Sequence, residues 1–242
     1  AEKIQPHLIS NFPANASFYD YYFDIDALCW TRFSLEQELK MAKKTFASMI
    51  PSQKRIENLF VPSAETIRHA YLLECLVTRQ QSTLVIGPAS SGRSALLRNL
   101  LFDGVYDFSK KMSTEHITLS SHSNCVSMRH SLESLLQYRK DEDGVLALRP
   151  PRDNKLVCYI QDMHLSDADE YGDMSAIECM RDYLETGGWL CARKMRRRLI
   201  EDVTFFTDLA TNHPNTQYVT GRCLRHMNLV VLAPFSLASF KL

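Results

Sequence analysis

The chain has 242 residues, enough for one large domain or a domain with an extension. Its 28 Lys and Arg balance 28 Asp and Glu, so no excess charge draws it to nucleic acid or to an anionic membrane, and neither is expected as a partner. Hydrophobic residues make up 45% and charged residues 23%, an ordinary globular composition, with no apolar run long enough to span a bilayer and no leader-like apolar stretch in the opening AEKIQPHLISNFP.

In chain order, SFYDYYFDIDALCWTRF (17–33) is aromatic and partly alternating, which predicts an extended segment; Tyr19, Tyr21 and Tyr22 read as packing residues. SLEQELKMAKKTFASM follows as a helix, with Ser34 as cap and Gln37 in capping-box spacing. FVPSAETIRHAYLLECLVTRQ contains a second helix, capped by Ser63, with Ile67, Tyr71, Cys75 and Leu76 along one face.

Beyond this point strands and helices alternate. Strand STLVI runs into GPASSGRS and an apolar helix. Strand EHITLS and helix CVSMRHSLESLLQY come next, then a polar excursion from Arg139 to Asp153 whose Gly144 and Pro150-Pro151 suggest a β-hairpin insertion. Strand KLVCYI, helix MSAIECMRDYLETGG, strand VTFFTDLA, a short helix around GRCLRHM and strand NLVVLAP complete the series. This order predicts an α/β domain on a five-stranded, mostly parallel sheet flanked by helices. The basic CARKMRRR (191–198) reads as a solvated connection between a helix and a strand. Seven cysteines, none in a C-x-x-C pair and several in apolar runs, read as reduced, buried thiols. The eight histidines show no metal-ligand spacing; His122 and His130 read as surface or packing residues.

The chemistry concentrates in Gly87-Pro88-Ala89-Ser90-Ser91-Gly92-Arg93-Ser94-Ala95. The pattern G-x-x-x-x-G-K-[ST] is met except that Arg93 stands where lysine belongs. A strand feeding a glycine turn into a helix aims backbone N–H groups and the helix dipole at one spot, where phosphate binds. Gly87 and Gly92 can take backbone angles other residues avoid. Ser94 sits where a hydroxyl would ligate Mg²⁺. Arg93 keeps the positive charge but changes its shape and reach. The plain alternative is a Gly/Ser turn that merely joins strand to helix. The second half of such a site is a strand ending in acids, and KLVCYI ends in Gln161-Asp162. Gln161 is neutral where an acid would hold Mg²⁺ through water, which weakens the metal; Asp162 stands where an acid would activate the attacking water, or simply caps a strand end. With both the lysine and the metal acid altered, the site reads as not built for hydrolysis.

Four segments now carry a resemblance to one family. FYDYYFDIDALCW resembles its F-D-Y-Y-v-D…W segment, and LFVPSAETIRHAYLLECLV its l-V-P-T-x-D-T-x-R-x-x-y-L-l segment. YIQDMHLSDADEYGDMSAIECMRDYLETGGW is similar to F-I-D-D-M-N-M-P…Y-G-x-Q-P-P-I-E-L-L-R-Q…G-x-W, and GRCLRHMNLVVL to P-R-F-x-R-H-F-x-v-i. In this order they resemble the third AAA+ module of the dynein heavy-chain motor, more the axonemal than the cytoplasmic branch. The resemblance implies a P-loop fold of the AAA+ type, with residues 1–58 as an N-terminal extension and 59–242 as the large α/β subdomain, no helical lid after it, and the chain a piece of a larger motor. It implies ATP or ADP as ligand, with Mg²⁺ weakened by Gln161. Its partners would be neighbouring modules of the same heavy chain and, through the rest of the motor, microtubules. The place would be cytoplasmic, on the cytoskeleton of a cilium or flagellum axoneme. By the same resemblance Val61 and Pro62 lie against adenine and Arg222 reaches in trans to the nucleotide of the preceding module, whereas Arg225 is structural.

The departures are Arg93, Gln161, His164 for asparagine and Ser166 for proline, with no sensor asparagine near Asp208 and Leu209. Two functions follow: a motor module that holds nucleotide for structural or regulatory purposes with little or no hydrolysis, or a catalytically active small P-loop NTPase or nucleotide kinase that tolerates Arg93.

Overall fold

The computed structural model describes residues 12, 17–24, 27–33, 60, 63–102, 112–140, 146–191 and 196–235. The helix expected over 34–49 and the adenine-side residues Val61 and Pro62 lie outside the described residues. The chain divides into two compact units, residues 1–72 with 237–242, and residues 73–236.

In the first unit the aromatic segment is a hairpin. Strand β1 (Tyr21–Asp24) pairs antiparallel with β2 (Cys29–Arg32), placing Phe23 opposite Trp30. Its rings pack on one another: Phe12 stacks on Phe18 at 4.2 Å, and Tyr22, Phe33 and Tyr71 form a cluster with centroids 5.0–5.7 Å apart. Tyr71 belongs to helix α1 (Ala64–Thr78), which begins as expected at Ser63. The Ser63 hydroxyl accepts the Thr66 N–H (3.3 Å) while the Thr66 hydroxyl accepts the Ser63 N–H (2.7 Å), a reciprocal cap. The buried stripe of α1 is Ile67, Ala70, Leu73 and Val77, whereas Tyr71 is half-buried and Cys75 exposed. The expected face is therefore corrected: steps of three and four residues select Ala70 and Leu73, and Tyr71 turns to the aromatic hairpin instead.

The second unit takes up the alternating pattern. Strand β3 (Thr83–Gly87) leads to helix α2 (Arg93–Phe102), β4 (Met112–Thr118) and helix α3 (Cys125–Ser134). The hairpin β5 (Gln137–Lys140) and β6 (Leu146–Arg149) precedes β7 (Lys155–Gln161). Helix α4 (Ser175–Thr186), the hairpin β8 (Gly188–Cys191) and β9 (Arg196–Ile200), strand β10 (Val203–Ala210), the short helix α5 (Gly221–Leu224) and β11 (Asn228–Val231) follow. The main sheet has the order β11-β3-β10-β7-β4, and every neighbouring pair is parallel. The middle strand, β10, is buried from Val203 through Leu209. Such a continuous buried run is what a parallel sheet covered on both faces requires. The core joins β3, β7 and β10 to α3 and α4 through Leu84, Cys158, Ile160, Phe205, Leu132 and Met180.

A second sheet has the order β5-β6-β9-β8. The expected hairpin insertion is present, but it starts at Gln137, inside the segment read as helix, because α3 stops with Leu135 as its cap. Its N-terminus carries a capping box of Asn124 with Ser127. Of the basic segment 191–198, residues 192–195 lie outside the described residues; its described ends are corrected from a solvated connection to paired strand residues, with Gly188 set against Leu199 and Cys191 against Arg196. Arg198 donates to both carboxylate oxygens of Glu133 (2.7 and 2.6 Å) and Arg197 lies 3.3 Å from Asp182. Glu133 also accepts the Trp189 indole N–H at 2.9 Å, anchoring the buried ring. All seven cysteines are free thiols; Cys158, Cys179 and Cys223 are buried, and burial pushes Cys179 and Cys223 up to about 12, whereas Cys75 is exposed.

Gly187 and Gly188 make the corner between α4 and the second sheet for different reasons. Gly187 is the helix cap at φ +70 with open space where a Cβ would stand; at Gly188 a Cβ would collide with the backbone carbonyl of Arg198. Gly187→Ala is expected to cost about 1–2 kcal/mol of backbone strain, and Gly188→Ala clearly more, because main chain must move and the β8–β9 pairing opens. Chemical denaturation of the two variants side by side checks the ranking.

Candidate functional site

Strand β3 ends at Gly87, and Pro88, Ala89, Ser90, Ser91 and Gly92 turn the chain into α2, which opens with Arg93, Ser94 and Ala95. This is the carboxyl end of a strand next to the middle of a parallel sheet, where open α/β sheets bind ligands. Ser90 and Gly92 adopt left-handed backbone, φ +64 and +77. A Cβ on Gly87 would come within 2.8 Å of the Ser91 hydroxyl and 3.0 Å of the Leu232 carbonyl, so a larger residue would have to displace the Ser91 side chain and crowd that carbonyl. The first hydrogen bond of α2 runs from Leu96 N–H to the Gly92 carbonyl at 2.8 Å. The N–H groups of Arg93, Ser94 and Ala95 precede it and are directed at the loop.

Arg93 is only 8% exposed. Its Nη2 lies 4.0 Å from Asp162 Oδ1, while its Nη1 is buried with no hydrogen-bond partner. The Ser91 hydroxyl, 5% exposed, is likewise unpartnered. A buried cationic donor and a buried hydroxyl without acceptors, beside a helix N-terminus, form a seat that an anion such as a phosphate would complete.

The acidic side of the site has its own logic. Gln161 ends β7, and its amide is engaged twice: Oε1 accepts Arg98 Nη2 at 2.6 Å and Nε2 donates to Asp162 Oδ2 at 3.2 Å. Asp162 stands just past the strand in left-handed backbone, φ +48, and its N–H donates to Asp208 Oδ1 at 2.7 Å. Asp208 is wholly buried. Its Oδ2 accepts the Ser94 hydroxyl at 2.9 Å, and the Tyr159 hydroxyl lies 3.4 Å from Oδ1. Burial raises the Asp208 carboxyl above its ordinary range, against the opposing pull of the Asp162 N–H. Burial also raises the Tyr159 phenol, with the Asp208 charge adding to the shift.

Asp208 is a site residue that no sequence motif marks. Its signal in the sequence is a carboxylate inside the buried run VTFFTDLA, which must find partners. His164 is buried beside His213 at 4.5 Å between ring centroids; its Nδ1 accepts the Ala210 N–H at 3.4 Å, and burial lowers its pKa below the ordinary imidazole value. Ser166 is buried and donates to the Ser123 carbonyl at 3.0 Å, so it holds a turn.

Arg222 lies apart from the loop cluster, on α5. Two contacts with α4 fix that helix: Thr220 to Glu178 at 3.4 Å and Arg225 to Glu185 at 2.8 Å. Arg225 is thus engaged locally, whereas Arg222 is exposed and makes no ion pair or hydrogen bond with another described residue. Among the described residues, no helix is long and apolar enough to cross a membrane, and no cluster of His, Cys, Asp and Glu is arranged to hold a metal by itself.

A family model for the P-loop containing dynein motor region matches residues 48–235. Among curated proteins, the chain is 23% identical over 234 residues to human dynein axonemal heavy chain 3, which covers 93% of this chain and 5% of that protein. It is 22% identical over 231 residues to human dynein axonemal heavy chain 12, covering 93% and 7%. It is 27% identical over 183 residues to the dynein beta chain of the flagellar outer arm of Chlamydomonas reinhardtii, covering 74% and 4%. The chain thus spans a small fraction, 4–7%, of the length of these relatives.

The unpartnered Ser91 hydroxyl yields a direct check of the anion seat. In the ligand-free chain, Ser91→Ala is expected to be neutral or stabilising by about 1 kcal/mol, since it removes a buried polar atom without an acceptor. Denaturant titration without nucleotide measures it; a loss of stability would mean that the hydroxyl is already satisfied.

Proposed function

The chain belongs to the family of P-loop containing dynein motor regions, and from that membership we propose that it is an AAA+ module of a dynein heavy chain, the third of the ring, whose nucleotide site holds ATP or ADP as a structural or regulatory ligand with little or no hydrolysis. The observation that carries this reading is Arg93: a buried guanidinium at the mouth of the phosphate loop with one amino group left for an anion. The guanidinium offers charge and donors, which favours holding a phosphate. It lacks the compact, flexible ammonium that follows a γ-phosphate through transfer.

Gln161 supports the second half of the proposal. Its neutral amide is spent on Arg98 and Asp162, so it brings no charge to a metal. Phosphoryl transfer depends on alignment of the γ-phosphate and its metal, and both groups that provide it are altered here. Ser94 is the residue that would hold Mg²⁺. By the names of the relatives, the wider assembly would be an axonemal motor. Its neighbouring AAA+ modules would be the immediate partners, microtubules would be reached through other parts of the heavy chain, and the place would be the cytoskeleton of a cilium or flagellum.

The purified chain is expected to bind ADP or ATP and to hydrolyse ATP at or near background. Arg93→Lys combined with Gln161→Asp should tighten nucleotide binding by roughly tenfold, the value of one charge-assisted contact, before it raises turnover. Equilibrium titration and a steady-state phosphate-release assay separate the two effects. Robust turnover by the unmodified chain would identify it as a working NTPase instead.

Arg222 is proposed to act in trans on the nucleotide of the preceding module. Support comes from its exposure and from the two α4 contacts that hold its short helix while its own guanidinium meets no other described residue in an ion pair or hydrogen bond. Such a planar fork suits a phosphate offered by a neighbour. In the assembled motor, Arg222→Ala should weaken the nucleotide response of the preceding module by about tenfold and leave binding at Gly92 and Ser94 intact. A mutant that disturbs only its own site would assign the arginine a structural role.

A further inference from the structure

We propose that Asp208 replaces the missing metal acid: from the middle strand it takes the proton of the Ser94 hydroxyl and thereby turns the Ser94 oxygen toward a Mg²⁺ ion carried in with the nucleotide. The proposal rests on the nucleotide-site reading above and extends it to the metal.

A serine hydroxyl has one proton and two lone pairs. To ligate a cation, it must point the proton away, at an acceptor, and leave a lone pair facing the ion. A strand-end acid beside the loop would supply that acceptor, but position 161 is a glutamine whose amide is bound to Arg98 and Asp162. Asp208 comes from the adjacent strand at the same level: Thr207 pairs with Ile160, which sets the next residue beside Gln161. Its Oδ2 accepts the Ser94 hydroxyl at 2.9 Å. Its Oδ1 accepts the Asp162 N–H at 2.7 Å, which stops the carboxylate from rotating away. The acceptor has moved from β7 to β10 while its partner on α2 remains the same.

A ligand is indicated independently by Arg93 Nη1 and Ser91 Oγ, both more than nine-tenths buried and both without acceptors. An anion on those donors and a cation on Ser94 are what a metal-bound di- or triphosphate brings together. Asp208 is a positioning residue in this scheme; it does nothing for the γ-phosphate, so the metal is held without turnover being restored.

The test is the ratio of nucleotide affinities with Mg²⁺ and with EDTA, read with a fluorescent ADP analogue on the 242-residue chain, together with Mn²⁺ binding by electron paramagnetic resonance. Mg²⁺ is expected to tighten binding to the unmodified chain by roughly tenfold. Asp208→Asn can still meet both neighbours, but its amide must then donate to Ser94, which occupies one lone pair and leaves the hydroxyl proton without its acceptor, free to turn toward the metal position. The ratio should fall to near one and the nucleotide-dependent Mn²⁺ signal should vanish. Gln161→Asp added to Asp208→Asn should restore both. A role in folding alone would lower the two affinities together and leave the ratio unchanged, which would overturn the proposal, as would a full Mg²⁺ ratio in Asp208→Asn. If that variant does not fold, Ser94→Ala carries the same expectation, and retention of the ratio there is equally fatal. Binding by the unmodified chain that is indifferent to Mg²⁺ overturns this inference alone. No nucleotide binding under either condition overturns the nucleotide-site reading, and this inference with it.

Discussion

A carboxylate sealed from solvent in the middle strand of a parallel sheet cannot rely on water, and Asp208 is such a group. Its two oxygens are divided between the Ser94 hydroxyl and the Asp162 N–H, so it binds the start of α2 and the end of β7 to the centre of β10. The left-handed backbone of Asp162 is part of the same arrangement, because its N–H serves the carboxylate while its side chain lies near Arg93. Leaving any of these buried groups unmet would cost about 1–3 kcal/mol. The loop, the strand end and the middle strand are therefore held in a common geometry by one side chain.

Around that point the altered residues form a connected set. Arg93 faces Asp162, Gln161 bridges Arg98 and Asp162, and Ser94 turns to Asp208. Arg93 and Gln161 depart from the P-loop pattern and turn to the protein, whereas Ser94 fits the pattern and gives only its proton to Asp208. Yet Arg93 Nη1 and the Ser91 hydroxyl stay unpaired, so the network stops short of closing on itself. It is this combination of satisfied acids and open donors on which the proposed retention of a phosphate ligand rests.

The second sheet and α4 provide the other structural line. Glu133 gathers Trp189 and Arg198, fixing the β8–β9 hairpin on α3. Helix α4 holds α5 through Glu178 and Glu185. Of the basic segment whose composition suggested a free, solvated connection, Arg197 and Arg198 are thus paired with acids of α4 and α3. Arg222 makes no ion pair or hydrogen bond with another described residue and stands outside the network that pins its own helix.

The order of elements, the parallel sheet, the glycine loop and the Ser63 cap were legible because each rests on local rules: buried runs of strand length, glycine punctuation and capping spacing act over a few residues. The departures from the phosphate-loop and strand-end patterns at Arg93 and Gln161 were equally visible. The extent of α3, the β8–β9 hairpin and the buried stripe of α1 were not, since they depend on which neighbour each face meets. Asp208 is the clearest case. Its identity is local, but its role comes from Ser94, more than a hundred residues earlier in the chain, and from the Asp162 N–H on the neighbouring strand. Sequence by itself determined which chemical groups the site could contain and which were missing. Only the tertiary structure decided which carboxylate meets the Ser94 hydroxyl, because a hydrogen bond is a matter of distance and direction between strands that chain order does not specify.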